Sequence, residues 1–214
     1  MNLMTLVPAL LLSPTPAGLA GAQPTPPTAL SAIAIDAASG KVLWSKDPDT
    51  ARFPASTTKI MTGLLLAEHC KPDDVIVAPW DVATVKEASM HLRPKEKVKA
   101  KDMLAALMLR SANDGCYAVA VQLAGSVEKF SDMMNERARQ IGCTGTHFHN
   151  PNGLNDPEHY TTARDLALIG REAMKNPLFA SVVKTYKIKI DRNINKKDTW
   201  MVNHNKLLPK DATM

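Results

Sequence analysis

A serine and a lysine stand three residues apart at the start of an apolar helical pattern, Ser56-Thr57-Thr58-Lys59. Positions i and i+3 of a helix share a face, so the amine can sit beside the hydroxyl and take its proton if the amine is neutral. Bringing a lysine from a pKa of about 10.4 to about 7–8 costs roughly 3–5 kcal/mol of differential solvation, which requires a partly desolvated cleft. The free N–H groups and positive dipole end of a helix N-terminus also favour anionic charge developing there. The S-x-x-K pattern alone is weak, since the chain holds three: Ser56/Lys59, Ser126/Lys129 and Ser181/Lys184. Ser126 precedes a charged face and reads as a helix N-cap. Ser181/Lys184 falls in an alternating run that reads as a strand over Ser181–Ile190, where i and i+3 point to opposite faces. Only Ser56/Lys59 joins helical register to an apolar flank.

A second constellation is Arg110-Ser111-Ala112-Asn113-Asp114, at the end of an apolar helical pattern and the start of another. S-x-N at such a junction can aim a hydroxyl and a carboxamide into one cleft; the plainer alternative is that Ser111 caps the following helix. Cys143, His147 and His149 cluster within seven residues and are zinc-ligand types. No His-Glu-x-x-His or distant paired ligand set accompanies them, so histidines satisfied within a loop are the simpler reading, and no metal or cofactor is expected. Three cysteines, Cys70, Cys116 and Cys143, leave at least one thiol unpaired. Cys116 and Cys143 lie in or beside apolar patterns, where cysteine acts as a small buried hydrophobe.

The elements that must hold these residues are legible from periodicity. Ala32–Asp36 and Lys41–Ser45 read as a β-hairpin turning at Ser39-Gly40. Helices are expected from Ser56 to about His69, Lys101–Arg110, Asn113–Leu123 and Ser126–Ile141, the last ended by Gly142. Val75–Val77 is a short strand candidate. Asn150–Pro157 is dense in turn residues, and Thr162-Ala163-Arg164-Asp165 opens a further helix through Met174 with a capping-box-like start. The 214 residues, 45% hydrophobic and 22% charged, are ordinary for a globular protein and exclude a disordered chain. No apolar run is long enough for a membrane-spanning helix. The net charge of +5 favours anionic polymers or headgroups as neighbours, but no basic cluster is interleaved with aromatics, which argues against nucleic acid.

Taken in order, these motifs resemble the active-site serine family of penicillin-recognising enzymes, and within it the serine-type D-Ala-D-Ala carboxypeptidases. The resemblance rests on five collinear segments: the hairpin Asp36–Trp44, Pro54–Thr62, Arg110–Asp114, Thr146–Leu154 and His159–Ala167. It implies a β-lactamase/transpeptidase-like α+β fold, an antiparallel sheet with a helical subdomain. It also implies that Ser56 is the nucleophile attacking the carbonyl between two terminal D-Ala residues and that Lys59 is its general base. Ser111 would relay a proton to the leaving amine, Asn113 would hold the substrate's peptide carbonyl, and the Ser56 N–H would form part of the oxyanion hole. Peptidoglycan stem peptides would be the substrate and β-lactam antibiotics covalent inhibitors. Two other readings stay open: a β-lactamase, for which Glu158 is the one candidate deacylation base in the loop, and a non-catalytic penicillin- or cell-wall-binding protein.

The family's third motif, K-[ST]-G on a late strand, binds the substrate carboxylate and supplies the second oxyanion donor; neither K-T-G nor K-S-G occurs in these 214 residues. Lys184-Thr185 is followed by Tyr186, and Asn203–Leu208 resembles the stretch upstream of that motif. The expectation is a carboxypeptidase domain over residues 30–214 that stops before its last strands, poorly stable and weakly active. Residues 1–22 carry no Asp, Glu, Lys or Arg and hold an apolar stretch from Leu3 to Leu12, then Ala20-Gly21-Ala22. They read as a secretory signal peptide that lacks a basic start, followed by an extended linker over 23–29 and implying export to the periplasm or cell-wall space.

Overall fold

The computed structural model describes residues 27–209; the signal-peptide reading and most of the linker lie outside the described residues. Helix α1 (Lys59–His69) is the centre of the molecule. Its Met61, Leu64, Leu65 and Leu66 are all buried, as expected of a helix that is apolar on most sides. Three other helices pack most extensively on it: α2 (Ala100–Arg110), α3 (Asn113–Ala124) and α5 (Ala163–Ala173). Each fully buried leucine contributes about 1.5–3 kcal/mol, and α2 adds Leu104 and Leu107 to the same core. Helix α4 (Val127–Ile141) is amphipathic and lies against α3 and α5. It begins at Ser126, whose Oγ accepts the Lys129 N–H, and ends at Gly142 with φ +96°, as its sequence anticipated.

The strands pair two by two. β1 (Ala32–Ile35) and β2 (Val42–Lys46) form the expected antiparallel hairpin, with β1 packed on α5. Asp36 shapes its turn, accepting the Ser39 N–H and hydroxyl at 2.7 and 2.6 Å. β3 (Val75–Val77) pairs with β4 (Lys97–Lys99), a three-residue strand too short to show in periodicity.

The strand expected over Ser181–Ile190 is corrected. Pro177–Val183 forms helix α6, and only Lys187–Lys189 is extended, as β5 pairing with β6 (Trp200–Val202). The Asn176 side chain accepts the N–H groups of Leu178 and Phe179, and Pro177 occupies the first turn. That is a strong helix start, and it outweighs the β-branched pair that follows. Phe179 and Val182 are buried from this helix, which packs on α2. Ser181 is therefore helical, and its hydroxyl donates to the Leu178 carbonyl on the exposed side.

A buried ion pair fastens the β5–β6 region to the segment before β4. Arg192 and Glu96 are both inaccessible, bonded in two places at 2.9 Å. Arg192 also donates to the carbonyls of Met90, His91 and Asp198.

Candidate active site

Ser56 lies in a 3-10 turn, Ala55–Thr58, that runs directly into α1. Ser56 is exposed, whereas Lys59 is 2% exposed. The Lys59 ammonium donates to Ser56 Oγ at 3.1 Å and to the Asn152 carbonyl at 2.7 Å. Burial holds the Lys59 pKa below that of a free lysine. The Cys116 thiol of α3 opposes this only when ionised, and burial pushes that thiol up to about 12. At neutral pH the lowering stands, so the amine lies nearer to the neutral form that a base requires.

The turn-rich loop before α5 wraps the turn that carries Ser56. Arg52 and Thr161 exchange backbone hydrogen bonds at 2.8 and 3.0 Å. Thr58 Oγ1 meets His159 Nε2 at 2.8 Å, and Thr62 donates to the Pro151 carbonyl at 2.6 Å. The loop is internally braced: Asn150 Oδ1 accepts the N–H of Gly153 at 2.7 Å, and Asn152 Oδ1 that of Leu154 at 3.1 Å. Gly153 has φ +89°, and a Cβ there would stand 1.8 Å from the Ala55 carbonyl oxygen. Only glycine lets the two backbones approach this closely beside Ser56.

The second motif lies at the two-residue junction of α2 and α3. Ser111 is in the left-handed region at the end of α2, with φ +61°. The N-cap of α3 is Ala112, without a side-chain cap bond, so the alternative of Ser111 as a cap does not hold. Asn113 is buried and donates from Nδ2 to the Lys86 carbonyl at 3.1 Å. Asp114 accepts from the Ser89 hydroxyl and the N–H groups of Met90 and Leu92, fastening residues 89–92 to the start of α3. Among the described residues no hydrogen bond links Ser111 or Asn113 to Ser56 or Lys59; α3 approaches the pair through Cys116. A cavity of about 630 Å3 is lined by Lys86, Tyr117, Glu128, Asn150 and Asn152 among others. Neither Ser56 nor Lys59 lines it; Asn152 does, and its carbonyl accepts from the Lys59 ammonium.

The zinc-type residues diverge. The Cys143 thiol is directed to the Asp165 carbonyl, His147 Nδ1 bonds the Glu158 carbonyl, and His149 Nε2 lies 3.7 Å from Asp156. Among the described residues no three His, Cys, Asp or Glu side chains converge. Glu158 is exposed. Sequence reasoning missed three groups: the Asn152 carbonyl, which as a backbone atom has no residue type to notice, His159 and Gly153. The density of turn residues over Asn150–Pro157 was the available signal.

The sequence matches the D-alanyl-D-alanine carboxypeptidase family over residues 20–214. The D-alanyl-D-alanine carboxypeptidase DacF of Bacillus subtilis is 35% identical over 185 residues, covering 84% of this chain and 47% of the relative. The structure is similar to a D-alanyl-D-alanine carboxypeptidase of Mycobacterium tuberculosis H37Rv, with TM-score 0.74 and 29% identity over 84% of this chain and 71% of that one. Penicillin binding protein 5 of Haemophilus influenzae gives TM-score 0.75 and 26% identity over 86% of this chain and 54% of that one. The chain spans about half the length of the curated relatives it matches. With a serine-and-lysine turn at the head of a central helix and this likeness along its length, the chain belongs to the D-alanyl-D-alanine carboxypeptidase family, peptidase S11.

Proposed function

We propose that this protein is a serine hydrolase that removes the terminal D-Ala from peptidoglycan stem peptides through an acyl-enzyme on Ser56. The observation that carries the proposal is the buried Lys59 ammonium 3.1 Å from the exposed Ser56 hydroxyl. In this reading Lys59, once neutral, takes the Ser56 proton as Oγ attacks the penultimate carbonyl. The Ser56 N–H, at the start of the helix, faces the developing oxyanion. Ser111 passes the proton to the leaving D-Ala amine, and Asn113 holds the substrate's peptide carbonyl. Water then cleaves the ester and regenerates Ser56. A β-lactam acylates the same hydroxyl, and the likeness to a penicillin binding protein supports that assignment. The uncharged segment 1–22 supports export, with a mature N-terminus at Gln23.

A second reading is a covalent penicillin binder without peptide turnover, for which the likeness to a penicillin binding protein is the supporting observation. The two readings separate in paired assays: labelling by fluorescent penicillin, and release of D-Ala from a peptide ending in D-Ala-D-Ala, each against Ser56→Ala. Ser56-dependent D-Ala release, even slow, supports the carboxypeptidase. Labelling at Ser56 with no release supports the binder. Absence of both overturns both.

A further inference from the structure

His159 is buried to 1% exposure between the nucleophile turn and the loop that covers it. Its two ring nitrogens are used in opposite senses. Nδ1 receives the N–H of His149 at 2.9 Å and, more weakly, that of Asn150 at 3.4 Å. An atom that accepts amide protons carries a lone pair, which puts the ring proton of a neutral imidazole on Nε2. Nε2 faces Thr58 Oγ1 at 2.8 Å and donates to it. Thr58 directly precedes Lys59, while residues 149 and 150 lead into the Asn150–Gly153 turn that offers the Asn152 carbonyl to Lys59. One ring therefore joins both sides of the Lys59 contact.

We propose that His159 is a positioning residue for the Ser56–Lys59 pair: as the neutral Nε2–H tautomer it pins the Asn150–Gly153 turn to Thr58 and so keeps the Asn152 carbonyl on the Lys59 ammonium. The kinetic consequence rests on the hydrolase reading above, whereas the structural consequence does not. Protonation would place a second N–H at Nδ1, pointing at the His149 N–H, and break the pin. The charged and titratable groups around the ring are His147, His149 and Asp156 from the loop, with Lys59 following Thr58 on α1. Burial acts most strongly against the imidazolium, Asp156 acts for it, and His149 and His147 act against it, leaving the ring at about 4. The pin is accordingly intact at neutral pH and released as pH falls through that value.

The test uses the full chain and two variants, His159→Asn and Thr58→Val, each cutting one end of the bridge. Long-range nitrogen–proton NMR of the wild type should show the proton on Nε2. Amide exchange at His149 and Asn150, corrected for intrinsic rates, should be slow at pH 7 and at least about tenfold faster below pH 4, while core amides of α1 stay protected. His159→Asn should abolish that pH dependence. Both variants should slow fluorescent-penicillin acylation about tenfold or more, as small misplacements of reacting groups do. Combined, they should lose little beyond the larger single loss, because they cut one linkage. A proton on Nδ1, or unchanged exchange at His149 and Asn150 in His159→Asn, overturns the pin. Unchanged acylation in both variants overturns its positioning role. If the wild type is not acylated at all, the hydrolase reading fails, while the tautomer and exchange results still decide the pin.

Discussion

Ser56 meets solvent and Lys59 is sealed beneath it, which is the division of labour a hydroxyl nucleophile and an amine base need. Lys59→Met is expected to lower the penicillin acylation rate by about 10²–10⁴-fold, the usual contribution of a positioned general base. Lys59→Arg should do no better, because a guanidinium does not lose its proton at working pH. Burial lowers the Lys59 pKa, so acylation should rise with pH as the amine deprotonates, with a midpoint below that of a free lysine; a stopped-flow pH profile checks this. Both residues were legible because S-x-x-K at a helix start with an apolar flank is a pattern of residue types. For Ser111 the left-handed backbone and the bare Ala112 cap exclude only the alternative that it caps the following helix. The Asn152 carbonyl was not legible: its contribution is a backbone oxygen placed by a turn, and any residue type carries one.

At the scale of elements, the site is made by a loop lying along a helix start, and Gly153 is where the two touch. Gly153→Ala is expected to strain a backbone at φ +89° and drive a methyl into the Ala55 carbonyl. The loss should exceed about 1 kcal/mol, or roughly 2–4 °C in Tm for a chain of this size, with acylation falling at the same time. Calorimetry and fluorescent-penicillin labelling of the one variant measure both. Helices α1 to α5 could be read from apolar spacing and caps because each buries one continuous face or stripe. The segment at 177–183 could not, since its Val182-Val183 pair mimics a strand while the deciding signal, Asn176-Pro177, is a cap lying outside the run. β4 is a three-residue strand whose identity comes from pairing with β3 rather than from its own pattern.

At the scale of the molecule, the Glu96–Arg192 pair joins regions nearly a hundred positions apart, and through Met90 and Leu92 that junction reaches Asp114 at the head of α3. Arg192→Met leaves a buried carboxylate unpaired and should cost about 3–5 kcal/mol in urea unfolding. Burial acts against the Glu96 anion, but the Arg192 guanidinium and the N–H groups of Arg93 and Asn195 outweigh it and hold the carboxyl below its ordinary value. Its contribution is thus present above the ordinary carboxylate pKa and lost as pH falls through the lower folded value. Wild type should lose more stability than Glu96→Gln between pH 6 and pH 3. The central claim, that Ser56 is the acylated nucleophile of this D-alanyl-D-alanine carboxypeptidase family member, is tested most directly by intact-protein mass spectrometry after incubation with penicillin, followed by peptide mapping. The account predicts one penicilloyl adduct, located on Ser56 and lost in Ser56→Ala; an adduct on any other residue, or no adduct in the folded chain, would contradict it.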